Sequence, residues 1–403
     1  MKFIEIKKEE FEVFNQSVRL GSFLQTNQMA ELLVANGWEV VFLAVKNNEE
    51  IQMAGLLTGK TMTGGKHFEL QYGPVYKEYD REVEEAFYRG LTEYAKTHEA
   101  LELLAIPNVD YQTFESNGEP ISEENTDFIS MMEKLGYNFS GLEVGYNKRG
   151  ESTWHYLKDL SALADEKALT KSYTKDGQYS LKKTQQFGIR VRPLAYEELD
   201  KFKKITSETS ERRGYNDHDL PYYQSLYQAF GDRAEFLVAE INFSDYKEAI
   251  AAQIAKLDEQ IEKTKKEGKR KELESQLETQ KIRQVEAEEM LAQYGSGDIV
   301  LAGSLFIYGS AETIYLFSGS YEAFKKLYAP FAIQHYVMLK TMNNHVPTYN
   351  FFGVEGKFDG TDGVLHFKQN FAGYVAHKVG YFTYYPKPMK AKMLSLVKKM
   401  MGR

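Results

Sequence analysis

A single lysine stands among aromatic residues near the C-terminal end of the chain. In GVLHFKQNFAGY, residues 363–374, Lys368 lies between Phe367 and Phe371, and the segment contains no other Lys, Arg, Asp or Glu. An ammonium held among aromatic rings is poorly hydrated, and it attracts a developing oxyanion strongly in a site that excludes water. Alternatively, the Lys368 stem covers the two rings and its ammonium ends in solvent. The residue types alone leave both interpretations open.

A second dense group of polar and aromatic residues lies in TSERRGYNDHDLPYYQSLYQAF, residues 209–230. Arg212, Arg213 and Tyr215 follow the end of a predicted helix. Adjacent Arg side chains can hold a carboxylate or a phosphate through paired hydrogen bonds. The alternative is that one Arg is exposed and the other is structural.

Basic residues are concentrated in two stretches of an otherwise acidic chain. Residues 263–271 contain six basic residues against one acid, and residues 167–192 contain seven against one, interleaved with Tyr and Phe. Rows of Lys and Arg can neutralise a nucleic-acid backbone without reading its sequence, and aromatic rings can add stacking. A solvated hairpin tip and an amphipathic connector are the corresponding structural interpretations.

The residues and motifs that many other catalytic mechanisms require are absent from the sequence. The chain contains no Cys, which excludes thiolate nucleophiles and Cys-ligated zinc. It also lacks a Gly-x-Ser-x-Gly elbow, a Walker A sequence and a His-Glu-x-x-His motif, and its eight His have no metal-ligand spacing. Aminolysis of an activated ester remains possible, because the amine itself attacks and the enzyme orients it and stabilises the oxyanion. No cofactor and no metal are expected.

The elements that would position these residues occur twice along the chain. EVVFLAVK, IQMAGLLTG, HFELQYGPVY, the helical REVEEAFYRGLTEYAKTH and ALELLAIP are matched, later in the chain and in the same order, by AEFLVAEI, IVLAGSLFIYG, TIYLFSGSY, helical LYAPFAIQHYVMLKTMNNH and YNFFGV. Three strands, a helix and a strand in this order form the core of an acyltransferase fold. Coenzyme A is not expected, because the nearest match to a pyrophosphate loop, QQFGIR, lacks its final small residue.

The second copy is interrupted by residues 245–294, which are almost free of Gly and Pro. Apolar residues at Ile250, Ile254, Leu257 and Ile261, and again from Leu273, predict two antiparallel helices that pack as a coiled coil. At 1.5 Å per residue, each helix would project roughly 30 Å. The basic residues 263–271 would then lie at the tip of this arm.

The composition is that of a globular protein with two or three domains, unusually rich in Tyr and Phe, 28 and 25 among 403 residues. The N-terminus lacks an apolar core of signal-peptide length, and nowhere do 18 apolar residues run together, which predicts a cytoplasmic protein. The formal charge of −8 argues against general binding of polyanions. The last 18 residues, PKPMKAKMLSLVKKMMGR, carry six basic residues and no acid. They predict a helix that lies on anionic lipid or docks on the domain through its Met side.

Several motifs together resemble the FemABX family over essentially the whole chain. They are FLQTNQMAELL, TSERRGY, YAPFAIQHYVM and YNFFGVEGKFDGTDGVLHFKQNF, together with the duplication and the inserted hairpin. Within the family, DIVLAGSLF, YLFSGSY and FDGTDGVLHFKQNF look most like the streptococcal MurN type. The resemblance implies an α/β (α+β) chain with tandem GNAT-like subdomains. The expected boundaries are 1–152 for the first subdomain, 153–244 with 295–403 for the second, and 245–294 for the coiled-coil arm.

The resemblance also implies an activity. Members of this family transfer an amino acid from aminoacyl-tRNA to an amine on the stem peptide of lipid II, and so build the peptidoglycan cross-bridge. The MurN type implies alanyl-tRNA as the donor and an already branched lipid II as the acceptor. It also implies a position at the inner face of the cell membrane and a first-step family member as a possible partner. The alternatives are addition of a first Ala or Ser to unbranched lipid II, and a non-catalytic tRNA- or lipid-binding homologue.

The family motifs fall on particular residues of this sequence. The Phe-Lys pair of the last motif falls on Phe367 and Lys368, where the Lys is implied to stabilise the oxyanion or to hold the terminal ribose. The basic arm and the basic stretch are implied to contact tRNA, which points to Lys265, Lys266, Lys269, Arg270, Lys182 and Lys183.

The implied precursor site departs from the family pattern. The precursor-binding Arg falls on Arg212, with Tyr215 near the position of a partnering Tyr. Another precursor-binding Tyr falls on Phe317, which lacks the hydroxyl, and a precursor-binding Lys falls near Leu33. Asp110, in IPNVDY, is a displaced candidate for an Asp of the family. These losses predict an acceptor that is held differently from that of other members.

Overall fold

The computed structural model describes residues 1–18, 22–147 and 151–400, with the side chains of 395 and 398–400 excepted. The N-terminal part of the chain alternates strands and helices. In chain order, its elements are β1 (Lys2–Ile6), α1 (Lys8–Ser17), α2 (Asn27–Ala35), β2 (Glu39–Asn47), β3 (Glu50–Met62), β4 (Gly65–Gln71), β5 (Val75–Tyr76), α3 (Arg81–Thr97), β6 (Glu102–Ile106), β7 (Asp110–Glu115), α4 (Thr126–Lys134) and β8 (Asn138–Phe139).

The C-terminal part repeats this alternation and contains the long helical insertion. Its elements are β9 (Trp154–Asp159), α5 (Glu166–Ser172), α6 (Lys175–Phe187), β10 (Arg190–Pro193), α7 (Leu199–Arg213), α8 (Leu220–Phe230), β11 (Ala234–Asn242), α9 (Phe243–Lys263), α10 (Glu267–Tyr294), β12 (Asp298–Tyr308), β13 (Glu312–Ser320), α11 (Ala329–Asn343), β14 (Thr348–Val354), α12 (Gly363–Gln369), β15 (Tyr374–Lys378), β16 (Phe382–Tyr384) and α13 (Pro388–Met400).

The predicted duplication is present as two mixed sheets. The first sheet has the strand order β1-β2-β3-β4-β6-β16-β8, with β5 paired to β3, and the second has the order β10-β11-β12-β13-β14-β9-β15-β7. Within them, β2-β3-β4-α3-β6 corresponds to β11-β12-β13-α11-β14. In each sheet the strands before and after the helix, β4 with β6 and β13 with β14, are parallel neighbours. The fold is therefore α/β with tandem GNAT-like halves.

The two halves exchange strands. β7 belongs to the N-terminal part of the chain but pairs with β15 in the second sheet, and β16, near the C-terminus, pairs with β6 in the first. Sheet membership therefore crosses the expected boundary between residues 152 and 153 in both directions. Pairing between strands this distant in sequence leaves no signal in local hydrophobic periodicity.

The helices that connect the parallel strands are packed differently in the two halves. Asp80 accepts hydrogen bonds from the N–H groups of Glu82 and Val83 at the start of α3, and the apolar face of this helix buries Phe87 and Leu91 against the first sheet. Helix α11 has buried residues on most of its surface, because α6 also packs on it. Each helix thereby seals one face of its sheet.

The inserted arm consists of α9 and α10, which run antiparallel and are joined by residues 264–266. Asn242 begins α9 by accepting hydrogen bonds from the N–H groups of Ser244 and Asp245. Ile250 and Ala287 are buried between the helices near the base, whereas Ile254 and Leu257 are half-buried farther out. Among the described helices, none combines the length and apolar character needed to cross a membrane.

Candidate functional site

The parallel strands of the second sheet separate partway along their length. β13 pairs with β14 from Glu312 to Ile314, but β13 continues to Ser320 and β14 to Val354 without further pairing to each other. In the same region, the register between β14 and β9 shifts between Asn350 and Gly353. Phe352 lies in this irregular stretch with a φ of 63°, a left-handed conformation that is strained for a bulky residue. The divergence leaves backbone groups of β14 available to side chains.

Lys368 occupies this opening. Its Nζ donates hydrogen bonds to the carbonyl oxygens of Phe352, at 3.2 Å, and of Gly353, at 2.6 Å. Only 3% of the residue is exposed, so the interpretation that its ammonium ends in solvent is wrong. Burial lowers the pKa of Lys368 to about 7, and the carboxylate of Asp362 opposes this shift. An ammonium has three donors, and these two carbonyls leave one for a substrate atom.

Helix α12, which carries Lys368, is fixed at its N-terminus by Asp362. Asp362 caps the helix by accepting hydrogen bonds from the N–H groups of Val364 and Leu365. Asp362 also accepts from the N–H of Glu355, which ties the helix to the end of β14. The predicted catalytic partner Phe367 is half-buried and packs with aromatic rings at 5.2 and 5.5 Å, those of Phe331 and Phe371.

A second buried lysine supports the turn that follows α12. Lys158 on β9 is 3% exposed, and its Nζ donates to the carbonyl oxygens of Phe371 and Ala372, at 2.7 and 2.9 Å. Burial lowers the pKa of Lys158 to about 8. Nothing in the local sequence identifies Lys158, since its contacts lie 213 and 214 positions away.

Tyr146 was also not predicted, although it bonds to the same carbonyl as Lys368. Its hydroxyl donates to the oxygen of Gly353 at 3.2 Å. Partial burial and then the carboxylates of Asp362 and Glu355 raise the pKa of Tyr146 to about 12, while Arg213 opposes the shift. Arg213 therefore lies near the Lys368 site. A Tyr in an irregular connecting segment gives no periodic signal that could have identified it.

Asn350 connects this site to a carboxyl group at the start of β13. Its Oδ1 accepts a hydrogen bond from the N–H of Phe352 at 2.8 Å, and its Nδ2 donates to Glu312 at 2.8 Å. Burial raises the pKa of Glu312 to about 7, against which the hydrogen bond from Asn350 acts. Because Lys368 bonds to the carbonyl of Phe352, Glu312 and Lys368 are linked through Asn350 and the two backbone groups of Phe352.

The residues expected to bind the precursor lie along the separated part of β13. Arg212, at the end of α7, donates to the carbonyl of Ser320 at 3.2 Å and lies 4.0 Å from a carboxylate oxygen of Glu322. Phe317 is half-buried, with its ring centroid 5.1 Å from that of His218. Tyr215 is 48% exposed, and burial of its hydroxyl raises its pKa.

Asp110 lies at the start of β7 in the strand pairing that joins the halves. Its carboxylate is 2.7 Å from the ammonium of Lys378. The charge of Asp110 also contributes to the raised pKa of Glu312. Asp110 therefore already has a partner on the neighbouring strand, and this cation competes with a substrate for the carboxylate.

The residues expected to contact tRNA lie on separate surfaces. At the arm tip, Lys269 pairs with Glu272 and Arg270 with Glu274 along their own helix. In the part of the chain that the structure describes, Lys265 and Lys266 have no carboxylate within 4.0 Å. On α6, Lys182 is exposed, whereas Lys183 is half-buried with its Nζ 5.2 Å from the centroid of Tyr179.

The site is built for stabilising negative charge. The buried ammonium of Lys368 and the hydroxyl of Tyr146 both donate to the carbonyl of Gly353, and the charge of Arg213 acts on Tyr146. Among the described residues, no group of three or more His, Asp or Glu side chains is arranged to hold a metal ion. The buried ammonium of Lys368 can stabilise an oxyanion through charge and a hydrogen bond.

Comparison with known proteins identifies the family of this chain. Residues 6–399 match the FemAB family model. The aminoacyltransferase FemA of Staphylococcus aureus strain bovine RF122 / ET3-1 is 30% identical over 400 residues, which cover 95% of this chain and 94% of FemA, and FemA of strain N315 gives the same values. A crystal structure of FemX superposes with a TM-score of 0.76 at 20% identity, over 96% of this chain and 98% of FemX. The chain belongs to the FemAB family and is an aminoacyltransferase.

Proposed function

We propose that this enzyme transfers alanine from alanyl-tRNA to the branched stem peptide of lipid II, as the second residue of a peptidoglycan cross-bridge. The observation that carries the proposal is the buried ammonium of Lys368 in the opening of the second sheet. Full-length similarity to FemA supports the reaction class. The likeness of the last motifs to the MurN type supports alanine and the branched acceptor.

The reaction is a direct aminolysis. The neutral amine of the acceptor attacks the ester carbonyl of alanyl-tRNA, a C–N bond forms, and the carbonyl oxygen becomes an oxyanion. The third donor of Lys368 stabilises this oxyanion. The C–O bond to the ribose then breaks, and the proton lost by the amine ends on the departing ribose hydroxyl. No covalent enzyme intermediate is needed.

The lowered pKa of Lys368 suits a transient anion. With its pKa lowered to about 7, Lys368 changes its charge close to neutral pH. Formation of an oxyanion beside Nζ favours the charged state. The electrostatic gain is therefore made in the transition state more than in the ground state, which is the condition for raising kcat.

The acceptor lies along the separated part of β13. Arg212 supplies a charge-assisted donor for a carboxylate or a phosphate, and exposed Tyr215 supplies a hydroxyl. Phe317 presents an apolar ring in place of a third polar contact, and Asp110 acts on the acceptor amine if it leaves Lys378. Fewer polar contacts suit an acceptor with a branched side chain.

The donor tRNA contacts the arm and α6. Lys265 and Lys266 have no competing carboxylate at the tip, so they contribute more than Lys269 and Arg270. Lys182 and the Lys183–Tyr179 pair extend the basic surface toward the second sheet. The basic C-terminal helix α13 exposes Met389 and Met393 and brings the enzyme to the inner face of the membrane, where lipid II is held.

A transfer assay tests the proposal. Purified enzyme is incubated with labelled alanyl-tRNA and with lipid II that carries either a free Lys or a Lys already bearing Ser or Ala. We expect label to enter only the branched form. Transfer to the unbranched form alone would assign the first addition to this enzyme, and equal use of seryl-tRNA would remove the preference for alanine. Absence of acceptor-dependent release of alanine from tRNA would favour a non-catalytic binding protein.

Charge reversal tests the donor surface separately. Lys265→Glu with Lys266→Glu should weaken tRNA binding by about tenfold at low salt and reduce its salt dependence, because two phosphate contacts are lost. Lys269→Glu with Arg270→Glu is the matched control, and a smaller effect is expected because both cations are already paired on the arm. Equal losses in the two double variants would contradict the assignment of the tip.

A further inference from the structure

A pocket of about 260 Å³ lies between the two halves, away from the Lys368 site. Helices α1 and α2 form one wall, and the turn between β12 and β13 forms the other. β13 and β14 run parallel, and the pocket lies where β13 starts, whereas Lys368 bonds near the end of β14. Its volume is slightly below the roughly 300 Å³ at which pockets for drug-sized molecules begin. The pocket is thus suited to a smaller ligand.

The floor of this pocket carries a buried amide without a partner. Asn27 is only 8% exposed, and among the described residues neither its Oδ1 nor its Nδ2 has a hydrogen bond. The buried Oδ1 of Asn15, also in the lining, likewise has none. An unpaired buried polar group destabilises the folded state, so native proteins pair nearly all of them. Two such groups facing one pocket indicate a polar ligand.

One side of the pocket is positive. It lies at the N-terminus of α2, where Thr26 accepts from the N–H of Met29 and the N–H groups of Asn27 and Gln28 lack partners within the helix. The helix dipole favours an anion at this position. The exposed guanidinium of Arg233 lines the same pocket. These groups are arranged for a carboxylate.

The other side carries two carboxyl groups. Glu312 lines the pocket, with one carboxylate oxygen bonded to Asn350. Arg233 immediately precedes β11, and Glu312 is the first residue of β13. Ala234 on β11 and Ile314 on β13 both lie opposite Ile307, so these two strands flank β12. Their backbones are therefore about 10 Å apart, two strand spacings. The exposed Glu12 adds a second carboxylate to the lining. An amine placed here would find an anionic partner.

We propose that this pocket binds a small zwitterion, a free amino acid or a short peptide. Its carboxylate lies at the start of α2 beside Arg233, its amine lies at Glu312, and its polar centre pairs with Asn27. Glu312 is also linked to the Lys368 site, because Asn350 bonds to both Glu312 and the N–H of Phe352, and Lys368 bonds to the carbonyl of Phe352. Binding in this pocket can be measured without tRNA or lipid II, so the proposal does not depend on the proposed reaction.

Calorimetric titration of the full chain, without tRNA or lipid II, tests the proposal. The probes are alanine, alanyl-alanine, N-acetyl-alanyl-alanine, which lacks the amine, and alanyl-alaninamide, which lacks the carboxylate. We expect saturable binding of alanine or alanyl-alanine with a Kd below about 1 mM. Each capped peptide should bind at least tenfold more weakly than alanyl-alanine.

Variants identify the place of binding. Arg233→Met and Glu312→Gln should each weaken binding of the zwitterion at least tenfold, and Glu312→Gln should restore relative affinity for the peptide that lacks an amine. Glu322→Gln, a carboxylate outside the pocket, is the control and should change nothing. No saturable binding of either uncapped probe, or binding that both pocket variants leave unchanged, would overturn the proposal. The transfer assay is read separately, so either proposal can fail alone.

Discussion

The two halves share a strand order but differ where their parallel strands meet. In the first half, β4 and β6 pair along five residues, from His67 with Glu102 to Gln71 with Ile106, and the N–H of Tyr72 continues to the carbonyl of Ile106. In the second half, β13 and β14 pair over three residues and then separate. The first sheet is therefore closed at this point, whereas the second is open.

Different side chains fill the two ends. The buried amide of Gln25 exchanges hydrogen bonds with both the N–H and the carbonyl of Leu56 and donates to the carbonyl of Gln71, so it ties β3 to β4 with neutral groups. Lys368 bonds to the carbonyls of Phe352 and Gly353 with a cation and retains a donor. An amide whose hydrogen-bonding groups are bonded to backbone groups of two strands stabilises the sheet. A buried ammonium with one unused donor can act on a substrate. The first half is thus joined near this point by a neutral side chain, whereas the second holds a cation with a donor left over.

Replacing Lys368 should produce the largest effect on catalysis. Lys368→Met keeps the apolar stem and removes the ammonium, so we expect kcat to fall about 10²–10³-fold, the usual cost of losing one oxyanion donor. Circular dichroism and urea unfolding should still report a folded protein. The measurement is the single-turnover rate of transfer from alanyl-tRNA. Near-normal turnover would mean that the open end of the second sheet is structural, like that of the first.

The corresponding change in the first half should have the opposite signature. Gln25→Met leaves three buried backbone groups of Leu56 and Gln71 without partners, so we expect the free energy of unfolding to fall by about 3 kcal/mol. Turnover per folded molecule should change less than that of Lys368→Met by at least an order of magnitude. If Gln25→Met matched Lys368→Met in kcat at unchanged stability, both halves would take part in the reaction.

The duplication could be predicted from sequence because it depends on local patterns. Strands and helices repeat in order, and apolar periodicity identifies each of them. Residue types and spacing could not decide between a catalytic and a solvent-facing Lys368. The resemblance to a family motif favoured the catalytic role. Tyr146, Asn350 and Gln25 were missed, since their roles come from partners in other elements. The exchange of β7 and β16 was missed for the same reason.

Asn350 offers a test of how the open end is held. β6, the counterpart of β14, has the sequence ELLAI, with apolar residues after its first position. On β14, by contrast, the polar Asn350 bonds to both Glu312 and the N–H of Phe352, the residue with the strained backbone. Asn350→Leu should lower kcat about tenfold with little change in KM for tRNA, because Lys368 loses its fixed carbonyl partner and not its charge. Asn350→Asp keeps the acceptor for the N–H of Phe352 and should recover part of the rate. Failure of Asp to improve on Leu would indicate a packing role.

The smallest effect we expect is a pH dependence of stability that belongs to the second half. The folded pKa of Lys368 is about 7, against 10.5 for an unperturbed lysine, so between these values the unfolded chain binds one more proton. The free energy of unfolding of the wild type should therefore rise with pH by at most about 1.4 kcal/mol per unit above pH 7, relative to Lys368→Met. Lys158→Met should remove a similar contribution that begins near pH 8. Urea unfolding at pH 6.5, 7.5 and 8.5 measures both slopes. Because Gln25 does not titrate, the free energy of unfolding of Gln25→Met should change with pH by the same amount as that of the wild type. If its slope against pH differed from the wild-type slope, the pH dependence would belong to the whole fold and not to the open end of the second sheet.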